Sequence, residues 1–213
     1  MKVLLPKIPG GITSTITDAR ALQRGESFDR VIIRGIEGVA LVAPKLKFDE
    51  SALDRAVLVN AALDEISLLD TEVRGCDISA AVLTSGALNR VRFTHCRMAG
   101  VDLSHCSLHN VTFTDCKIDM ANFRFARLHG VVFEDCTLVE TDFQLAEIRE
   151  VAFENCRMER TIFTQSKVIA TDMRSSHLEN IRGWNSLKGA TISFEQLSFV
   201  APELAQELGI KVD

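Results

Sequence analysis

The side chains that could carry out chemistry in this sequence are six cysteines, five histidines and one short Asp–Ser–His grouping. Thiolates bind zinc, form disulfides or act as nucleophiles, and imidazoles bind metals or transfer protons. Five of the cysteines recur at a regular interval of twenty residues, and Cys106 lies outside this series. The five are Cys76, Cys96, Cys116, Cys136 and Cys156. A fixed interval of this length indicates a repeating structure, so the repeat decides which of these side chains can meet.

The grouping Asp102, Ser104 and His105 contains the three residue types of a hydrolase triad. A triad needs its nucleophile, base and acid to approach one another from different directions, which near neighbours on one flat strand face cannot do. We found no glycine-rich phosphate loop, dinucleotide-binding fingerprint or metal motif of recognised spacing in the sequence. We therefore predict no catalytic residue, no cofactor and no enzyme activity.

Large apolar residues recur at every fifth position over most of the chain, from Phe48 through Leu53, Leu58 and Leu63 to Leu178 without a break. Two residues before each member, from Ala56 to Ser176, stands a residue that is almost always small, Ile66 being the largest. No charged residue enters this second series. Because only 46% of the chain is hydrophobic, chance does not produce such a pattern.

A period of five fits neither an α-helix nor a straight strand. A five-residue step rotates by about 140° on a helix and reverses the face on a strand. The backbone must therefore turn a corner in every pentad. If each five-residue side points one large and one small residue inward, four sides close a square coil, and the next coil stacks about 4.8 Å away.

A second period of twenty residues supports four sides. Phe93, Phe113, Phe133 and Phe153 form one series, and each is preceded at two residues by valine and followed at three residues by cysteine. Phe123, Phe143 and Phe163 form another series. Like residues then stack on like sides, so stability comes from contacts between successive coils, as in other solenoids.

This stacking places all six cysteines in the small inward series, where the five that lie twenty residues apart form one buried ladder. Zinc needs four thiolates that converge on one ion, whereas a ladder spreads its sulfur atoms along an axis, so we predict structural thiols and no metal. The histidines all fall at outward positions: His95, His105, His109, His129 and His177. His109 and His129 lie one coil apart and could share an ion, but Arg149 takes the next place and we predict a solvated surface.

Three segments, 101–105, 121–125 and 141–145, read as a small residue, Asp or Asn, then Leu or Phe, then two variable residues. They resemble the pentapeptide-repeat family. The resemblance covers about residues 48–192 and implies an all-β fold, the right-handed quadrilateral β-helix of that family. The second position often departs from Asp or Asn, as at Thr112, which weakens the transfer of functional residues more than that of the fold.

The pattern divides the chain into an N-terminal cap (1–27), a β-helix (28–192) and a C-terminal helical cap (193–213). The first part lacks the pentads and is rich in Pro and Gly, so we expect an irregular or hairpin-like cap over the open edge. A competing interpretation makes residues 50–70 an amphipathic helix, because they are rich in helix formers. They nevertheless keep the frame of the later coils, which favours the β-helix.

The frame breaks near Gly183 and Trp184 and resumes one residue out of phase. Ser193 and Gln196 then form a capping box, which predicts a short helix with an interruption near Pro202. The simple role of this helix is to cover the last coil. Relatives in which a C-terminal element joins two rods suggest a homodimer, with Phe199 as the leading contact and these candidates: Leu197, Phe199, Val200, Leu204 and Leu208.

The formal net charge of −5 disfavours a general affinity for nucleic acids or anionic membranes. The N-terminal apolar run is too short for a signal peptide, and no stretch reaches membrane-spanning length, so we expect a cytoplasmic protein. We expect a protein partner, with no direct nucleic-acid or membrane contact.

Two functions are open. The first is a rigid scaffold that binds an unidentified protein, for which outward Phe125 and Leu145 form a candidate apolar patch. The second comes from the resemblance: some family members mimic duplex DNA, bind bacterial DNA gyrase or topoisomerase IV, and protect it from quinolones. The acidic candidates for such mimicry are Asp115, Glu134, Asp135 and Glu154.

Other features weaken the uniform DNA mimic. Arg97, Lys117 and Arg157 share one outward series, so the surface is mixed in sign. The unbroken frame also leaves no room for the projecting loops of some gyrase-protecting relatives. Immunity to a peptide toxin that acts on gyrase is a third, weaker possibility that would use the same acidic surface.

Overall fold

The computed structural model describes residues 3–8, 12 and 14–211. They form a right-handed quadrilateral β-helix of about 9 turns, followed by one C-terminal helix. This confirms the fold that the period of five predicts.

Strands confined to one side of a coil have two to four residues, and strands that continue around a corner into the next side have eight. They are β1 Ser14–Ile16, β2 Ser27–Asp29, β3 Val31–Arg34, β4 Lys47–Asp49, β5 Ala52–Asp54, β6 Ser67–Arg74, β7 Ala87–Thr94, β8 Ser107–Thr114, β9 Arg127–Glu134, β10 Glu147–Glu154, β11 Arg157–Glu159, β12 Lys167–Ile169, β13 Thr171–Asp172, β14 His177–Glu179 and β15 Ala190–Thr191. The helix is α1 Phe194–Glu207, and single 3-10 turns lie at Ala19–Ala21 and Trp184–Ser186.

Successive coils pair in parallel with a register of twenty residues. Phe93 lies opposite Phe113 between β7 and β8, and Phe113 lies opposite Phe133 between β8 and β9. Residues 50–70 follow the same rule through β5 and the start of β6, so the alternative of a helix there is wrong. Four five-residue sides account for the twenty-residue register.

The corners are made by residues in the left-handed region of backbone space. Every fifth residue from Gly25 to Ala170 has a positive φ, and the non-glycine corners have φ between 45 and 66°. None of these corner residues is Val, Ile or Thr. The reason is steric, since a branched Cβ is the side chain least compatible with this backbone region.

The interior is filled by the residues that the sequence pattern selects, and every large apolar member from Phe48 to Leu178 is buried. Phe133 stacks between Phe113 and Phe153, with ring centroids 4.8 and 5.0 Å away. It meets Phe123 and Phe143 edge to face at 6.1 and 6.2 Å. Two aromatic columns therefore interlock at right angles, an arrangement that the ring quadrupoles favour.

The side chains of the small inward series fit the core in both volume and polarity. The one bulky member, Ile66, is followed a coil later by Gly86, whose missing Cβ would lie 3.2 Å from the Ile66 Cγ2 atom. Most of the polar members donate to backbone carbonyl oxygens of the preceding coil, and Ser166 donates to the Phe163 carbonyl of its own coil. Thr161 Oγ1 donates to the Leu138 carbonyl at 2.8 Å, and Ser176 Oγ to the Phe153 carbonyl at 2.9 Å. These hydroxyls are satisfied inside an apolar core, which makes their burial tolerable, whereas Thr171 Oγ1 is buried with no hydrogen-bond partner among the described residues.

At the C-terminal end, Gly183 marks the break in the frame. Its φ is 85°, and a Cβ there would lie 2.5 Å from the Thr164 nitrogen, so only glycine fits. Beyond it, β13 pairs with β15 in a register of nineteen residues, with Thr171 opposite Ala190. This confirms the shift of one residue that the sequence indicates.

The capping box at the start of α1 is confirmed, since Ser193 and Gln196 exchange both hydrogen bonds. The expected interruption near Pro202 is wrong, because the helix continues through it to Glu207. Pro202 is exposed and costs one helical hydrogen bond. Contacts of the helix with the last coil, on both sides of Pro202, offset that cost.

The N-terminal region joins the solenoid directly. Ser14–Ile16 pairs in parallel with β3, with Ile16 opposite Ile33, instead of forming a hairpin. Phe28 already stacks on Phe48 at 5.0 Å, so the coil pattern begins ahead of Phe48. Gly38 and Ala43 occupy two of the large positions, so the series of large apolar residues is interrupted between Ile33 and Phe48.

Candidate functional site

The six cysteines are buried and free. Each thiol lies within hydrogen-bonding distance of a backbone carbonyl, as Cys106 does with Leu83 at 3.0 Å and Cys156 with Phe133 at 3.3 Å. Burial raises the pKa of the Cys106 thiol to about 12. In the ladder, hydrogen bonds with neighbouring thiols and then burial raise the pKa of Cys76 and Cys136 above the usual thiol range. A thiolate is therefore disfavoured at Cys76, Cys106 and Cys136, and the burial of all six side chains shows that they pack in the core.

The histidines lie on the surface, as predicted. The rings of His109 and His129 are 4.8 Å apart, and His129 Nε2 is 3.7 Å from a Glu150 carboxylate oxygen. His95 Nδ1 lies 2.6 Å from Asp115 Oδ2. Sequence reasoning missed both acidic partners, because each reaches its histidine from a neighbouring coil.

One His–Glu cluster was also missed. Glu159, His177 and Glu179 lie on adjacent coils, and their possible ligand atoms are within 4.8 Å of one another. Glu159 is already occupied by the Arg157 guanidinium, which donates to it at 2.5 and 2.8 Å. The sequence contains a signal for this cluster, since residues 159 and 179 are twenty apart. The contact with Arg157 makes an ion-pair network a simpler explanation of the cluster than a metal site.

The triad residue types do not converge. Asp102 Oδ1 accepts the Ser104 backbone N–H at 2.9 Å and the Asn122 amide at 3.1 Å. The His105 ring stacks on Phe125 instead. Within the described residues, this grouping therefore contains no nucleophile paired with a base.

The predicted acidic residues lie together on one side and its corner, and we name them the acidic patch: Asp115, Glu134, Asp135 and Glu154. Glu134 and Glu154 are exposed and directly opposite each other in β9 and β10. Thr114 Oγ1 donates to Glu134 at 3.3 Å. Asp115 is the member with a basic neighbour, the His95 ring.

The predicted apolar patch is larger than expected, because His105 joins Phe125 and Leu145. The His105 and Phe125 rings are parallel, 4.8 Å apart and inclined by 4°. Phe125 remains 44% exposed, and the Arg124 guanidinium lies 5.9 Å from its ring centre. Leu145 follows one coil later and is half-buried. An aromatic surface on a rigid backbone is suited to binding another protein.

The dimer candidates on α1 separate into two groups. Val200 is fully buried in its own chain and Leu204 packs against the core, so Val200 is not available on a surface. Leu197, Phe199 and Leu208 are exposed, and Phe194, which sequence reasoning missed, is 84% exposed.

Carboxylates hold α1 to the last coil. Glu207 accepts the backbone N–H groups of Trp184 and Asn185 at 3.0 and 2.9 Å. Glu203 accepts the Asn180 N–H at 2.8 Å and the Trp184 indole N–H at 3.3 Å. These contacts satisfy backbone donors that the break in the frame leaves without strand partners.

Residues 3–8, which we name the strap, lie across the strands along the corner between two sides. The Leu4 N–H donates to Asn110 Oδ1 at 3.3 Å, and the Lys7 N–H to Asp70 Oδ1 at 2.9 Å. Asp70 also forms an ion pair with Arg90, and that guanidinium, together with the Lys7 N–H, holds the Asp70 pKa below its usual range. Sequence reasoning gave no sign of the strap, since it has no repeat.

A family model described as the pentapeptide repeat region matches residues 46–123, 87–163 and 106–182. These ranges overlap to cover more than half of the chain. The chain belongs to the pentapeptide-repeat family.

Solved structures of other pentapeptide-repeat proteins resemble this one. HetL of the cyanobacterium Nostoc sp. strain PCC 7120, involved in regulating heterocyst differentiation, is 16% identical over 86% of this chain and 92% of its own, with a TM-score of 0.41. Full-length QnrB1, a plasmid-mediated fluoroquinolone resistance protein, is 15% identical over 90% and 97%, with a TM-score of 0.36. A solved structure of a different kind of protein, the catalytic domain of a GH87 α-1,3-glucanase, is 7% identical over 83% of this chain and 54% of its own, with a TM-score of 0.32.

None of these likenesses transfers a function to the chain. No curated protein matches the sequence. Within the described part of the chain, no helix has the length and apolar character to cross a membrane.

The clefts of the pentapeptide-repeat rod are surface features. One cleft, of about 630 Å³, lies between α1 and the last coil beside Arg160, Arg182 and Trp184. Its acidic residues, Glu203 and Glu207, are the ones that accept the backbone and indole donors named above. In this cleft the carboxylates are therefore engaged in holding α1, and the exposed patches are the candidate sites.

Proposed function

We propose that this pentapeptide-repeat protein is a rigid, non-enzymatic scaffold that binds a partner protein through the apolar patch of His105, Phe125 and Leu145. The observation that carries the proposal is the exposed, parallel stack of His105 on Phe125. Adjacent strands are fixed by parallel ladders on both sides, so the patch loses little conformational entropy on binding. An aromatic anchor with a neighbouring guanidinium is the composition typical of binding hot spots.

The test is the double variant Phe125→Ser with Leu145→Ser, compared with Met120→Ser. Met120 is a matched control because it is 60% exposed at a corner of another side. In quantitative affinity purification from native lysate, we expect the double variant to lose at least one reproducible protein partner that the wild type and the control retain. Identical partner sets for all three proteins would reject the apolar patch as the binding site.

The same scaffold is proposed to dimerise through α1. Phe194, Leu197 and Leu208 are exposed apolar residues, whereas Val200, Glu203 and Glu207 of α1 contact the last coil. We expect Leu197→Glu to shift the protein from dimer to monomer in sedimentation equilibrium, whereas Gln206→Glu leaves the mass unchanged. A wild-type protein that is monomeric at high micromolar concentration would contradict this proposal.

A second candidate function is mimicry of DNA toward gyrase or topoisomerase IV. Its support is the acidic patch, in which four carboxylates span three coils. Three successive coils are separated by two spacings of about 4.8 Å, so the average axial interval between carboxylates is about 3.2 Å, near the ~3.4 Å axial spacing of phosphates along one DNA strand. The mixed surface, with Arg97 and Lys117 on the next side, weighs against it.

The assay for mimicry is supercoiling by purified gyrase across a concentration series, with and without a quinolone. Inhibition or protection at micromolar protein that is lost in Glu134→Lys with Asp135→Lys would support it. Glu147→Lys is the control, because Glu147 already pairs with Lys167 away from the acidic patch. If the protein has no effect on gyrase at any concentration, DNA mimicry is rejected and the scaffold proposal remains.

A cytoplasmic location belongs to the same proposal. Its support is the set of buried, unpaired thiols, which suit a reducing compartment. Fractionation of source cells with compartment markers tests it.

A further inference from the structure

The strap lies along the axis of the rod and not along its strands. Its backbone reaches Asn110 from Leu4 and Asp70 from Lys7. Three residue steps of extended chain cover about 10 Å, and the two coils between these acceptors rise about 9.6 Å. The match shows that this corner of the rod accepts an extended polypeptide, with side-chain carbonyl and carboxylate oxygens spaced to receive its N–H groups.

The strap fills this track incompletely. Leu4 and Leu5 remain 53% and 52% exposed. A cleft of about 460 Å³ stays open where Val3 and Leu5 face Thr112 and Val132. A second cleft of about 210 Å³ lies farther along, where Ile8 and Ile12 face Ile32 and Ala52. Buried apolar contact is therefore small, and the strap is held weakly.

Polar groups in and beside the track are unsatisfied. Thr112 Oγ1 is buried and has no hydrogen-bond partner among the described residues, and the same holds for the neighbouring Asn89 Oδ1. Buried polar atoms without partners are uncommon and costly. A fuller occupant that brings donors to this corner would satisfy them.

The distribution of charge along the track indicates at which end a basic side chain of the occupant would lie. Glu134 and Glu154 line the open cleft together with Arg92, but the Arg92 guanidinium pairs with Glu72 at 3.6 Å, and the ion pairs among the described residues include neither Glu134 nor Glu154. At the other end of the track the acidic side chains are paired, Asp70 with Arg90 and Glu72 with Arg74. A basic side chain is therefore favoured at the Glu134 and Glu154 end.

We propose that this corner is a docking track for an extended segment of a partner protein, with aliphatic side chains at alternating positions and a Lys or Arg beside Glu134 and Glu154, and that the strap occupies the track within its own chain. The proposal goes beyond the scaffold function above, because it concerns a different surface from the apolar patch. A partner segment binds by displacing the strap, and it gains contacts that the strap does not make.

The probe is a fluorescent peptide with the sequence of residues 1–8, MKVLLPKI, titrated in anisotropy against full-length chains. The variant Val3→Asp with Leu5→Asp places carboxylates next to Glu134 and Glu154 and so releases the strap. We expect this variant to bind the peptide at least tenfold more tightly than the wild type does, because its track is vacant. Circular dichroism confirms that the rod is folded in each sample.

Three controls make the result specific. Adding Val132→Arg blocks the track and should abolish binding, whereas Val82→Arg, at the equivalent place on another side, should leave it unchanged. A peptide with Lys2→Glu should bind at least tenfold more weakly. The proposal is overturned if the released variant binds no better than the wild type, or if a scrambled peptide binds equally well. Neither result bears on the apolar patch, which the serine variants test separately.

Discussion

The sharpest test of the fold is Phe133→Ala. Phe133 is fully buried and contacts four other phenylalanine rings, two stacked and two edge to face. Truncating a buried Phe costs about 3–5 kcal/mol, and each aromatic pair adds about 0.5–1.5 kcal/mol beyond area burial. Neighbouring coils are locked by ladders on both sides and cannot collapse into the cavity. We expect the upper end of that range, about 4–5 kcal/mol.

The assay is urea unfolding followed by far-UV circular dichroism. With a slope of about 2 kcal/mol/M, the midpoint should fall by about 2 M. Because a solenoid can unfold in parts, amide hydrogen exchange should show the loss of protection centred on β8, β9 and β10. Phe125→Ala is the control, since its ring is 44% exposed and makes one stacking contact, and we expect about 1 kcal/mol or less. If Phe133→Ala costs no more than Phe125→Ala, the argument that stacked coils stabilise one another fails.

Three further predictions concern the corners, the helix and one carboxylate. Met120→Val should cost about 1–2 kcal/mol in thermal or urea unfolding, because Met120 has a φ of 57°, whereas Met120→Gly should be near neutral; equal effects would refute the steric explanation. Glu207→Ala should raise hydrogen exchange across α1, as two N–H groups lose their acceptor, while Gln206→Ala should not. The Asp70 pKa is lowered by Arg90, so its contribution to stability is present above about pH 4 and disappears as the pH falls through the lowered pKa. In the variant Asp70→Asn, the unfolding midpoint should depend less on pH between pH 2 and 5 than it does in the wild type. An unchanged pH dependence would show that Asp70 contributes little to the stability of the protein in acid.

The candidate sites were predictable to the extent that they follow the repeat. The acidic patch and the Phe125 and Leu145 pair were predicted correctly as neighbours, because a register of twenty converts sequence spacing into distance. His105 was assigned to the surface but not to the apolar patch, although it stands twenty residues before Phe125. The partners His95–Asp115 and His129–Glu150 depend on side-chain direction at a corner, which spacing alone does not specify.

The ends show where sequence reasoning stops. The helix was predicted from its capping box, yet its continuation through Pro202 depends on Val200, Glu203 and Glu207 docking on the last coil. Val200 was counted as a dimer contact because helical spacing cannot tell which apolar stripe faces its own chain. The strap has no periodic signal at all, since its contacts with Asn110 and Asp70 span 106 and 63 residues of sequence.

The sequence by itself determined the cross-section of this protein: four sides, one large and one small residue inward on each, and a corner at every fifth residue. It could do so because each pentad meets the same environment, so the pattern is repeated often enough to exclude other folds. Only the tertiary structure decided what lies on the outside and at the ends, namely the strap over the corner, the mode of docking of α1 and the stacking of His105 on Phe125. Those features rest on single contacts between residues far apart in the chain, and a single contact leaves no period to read.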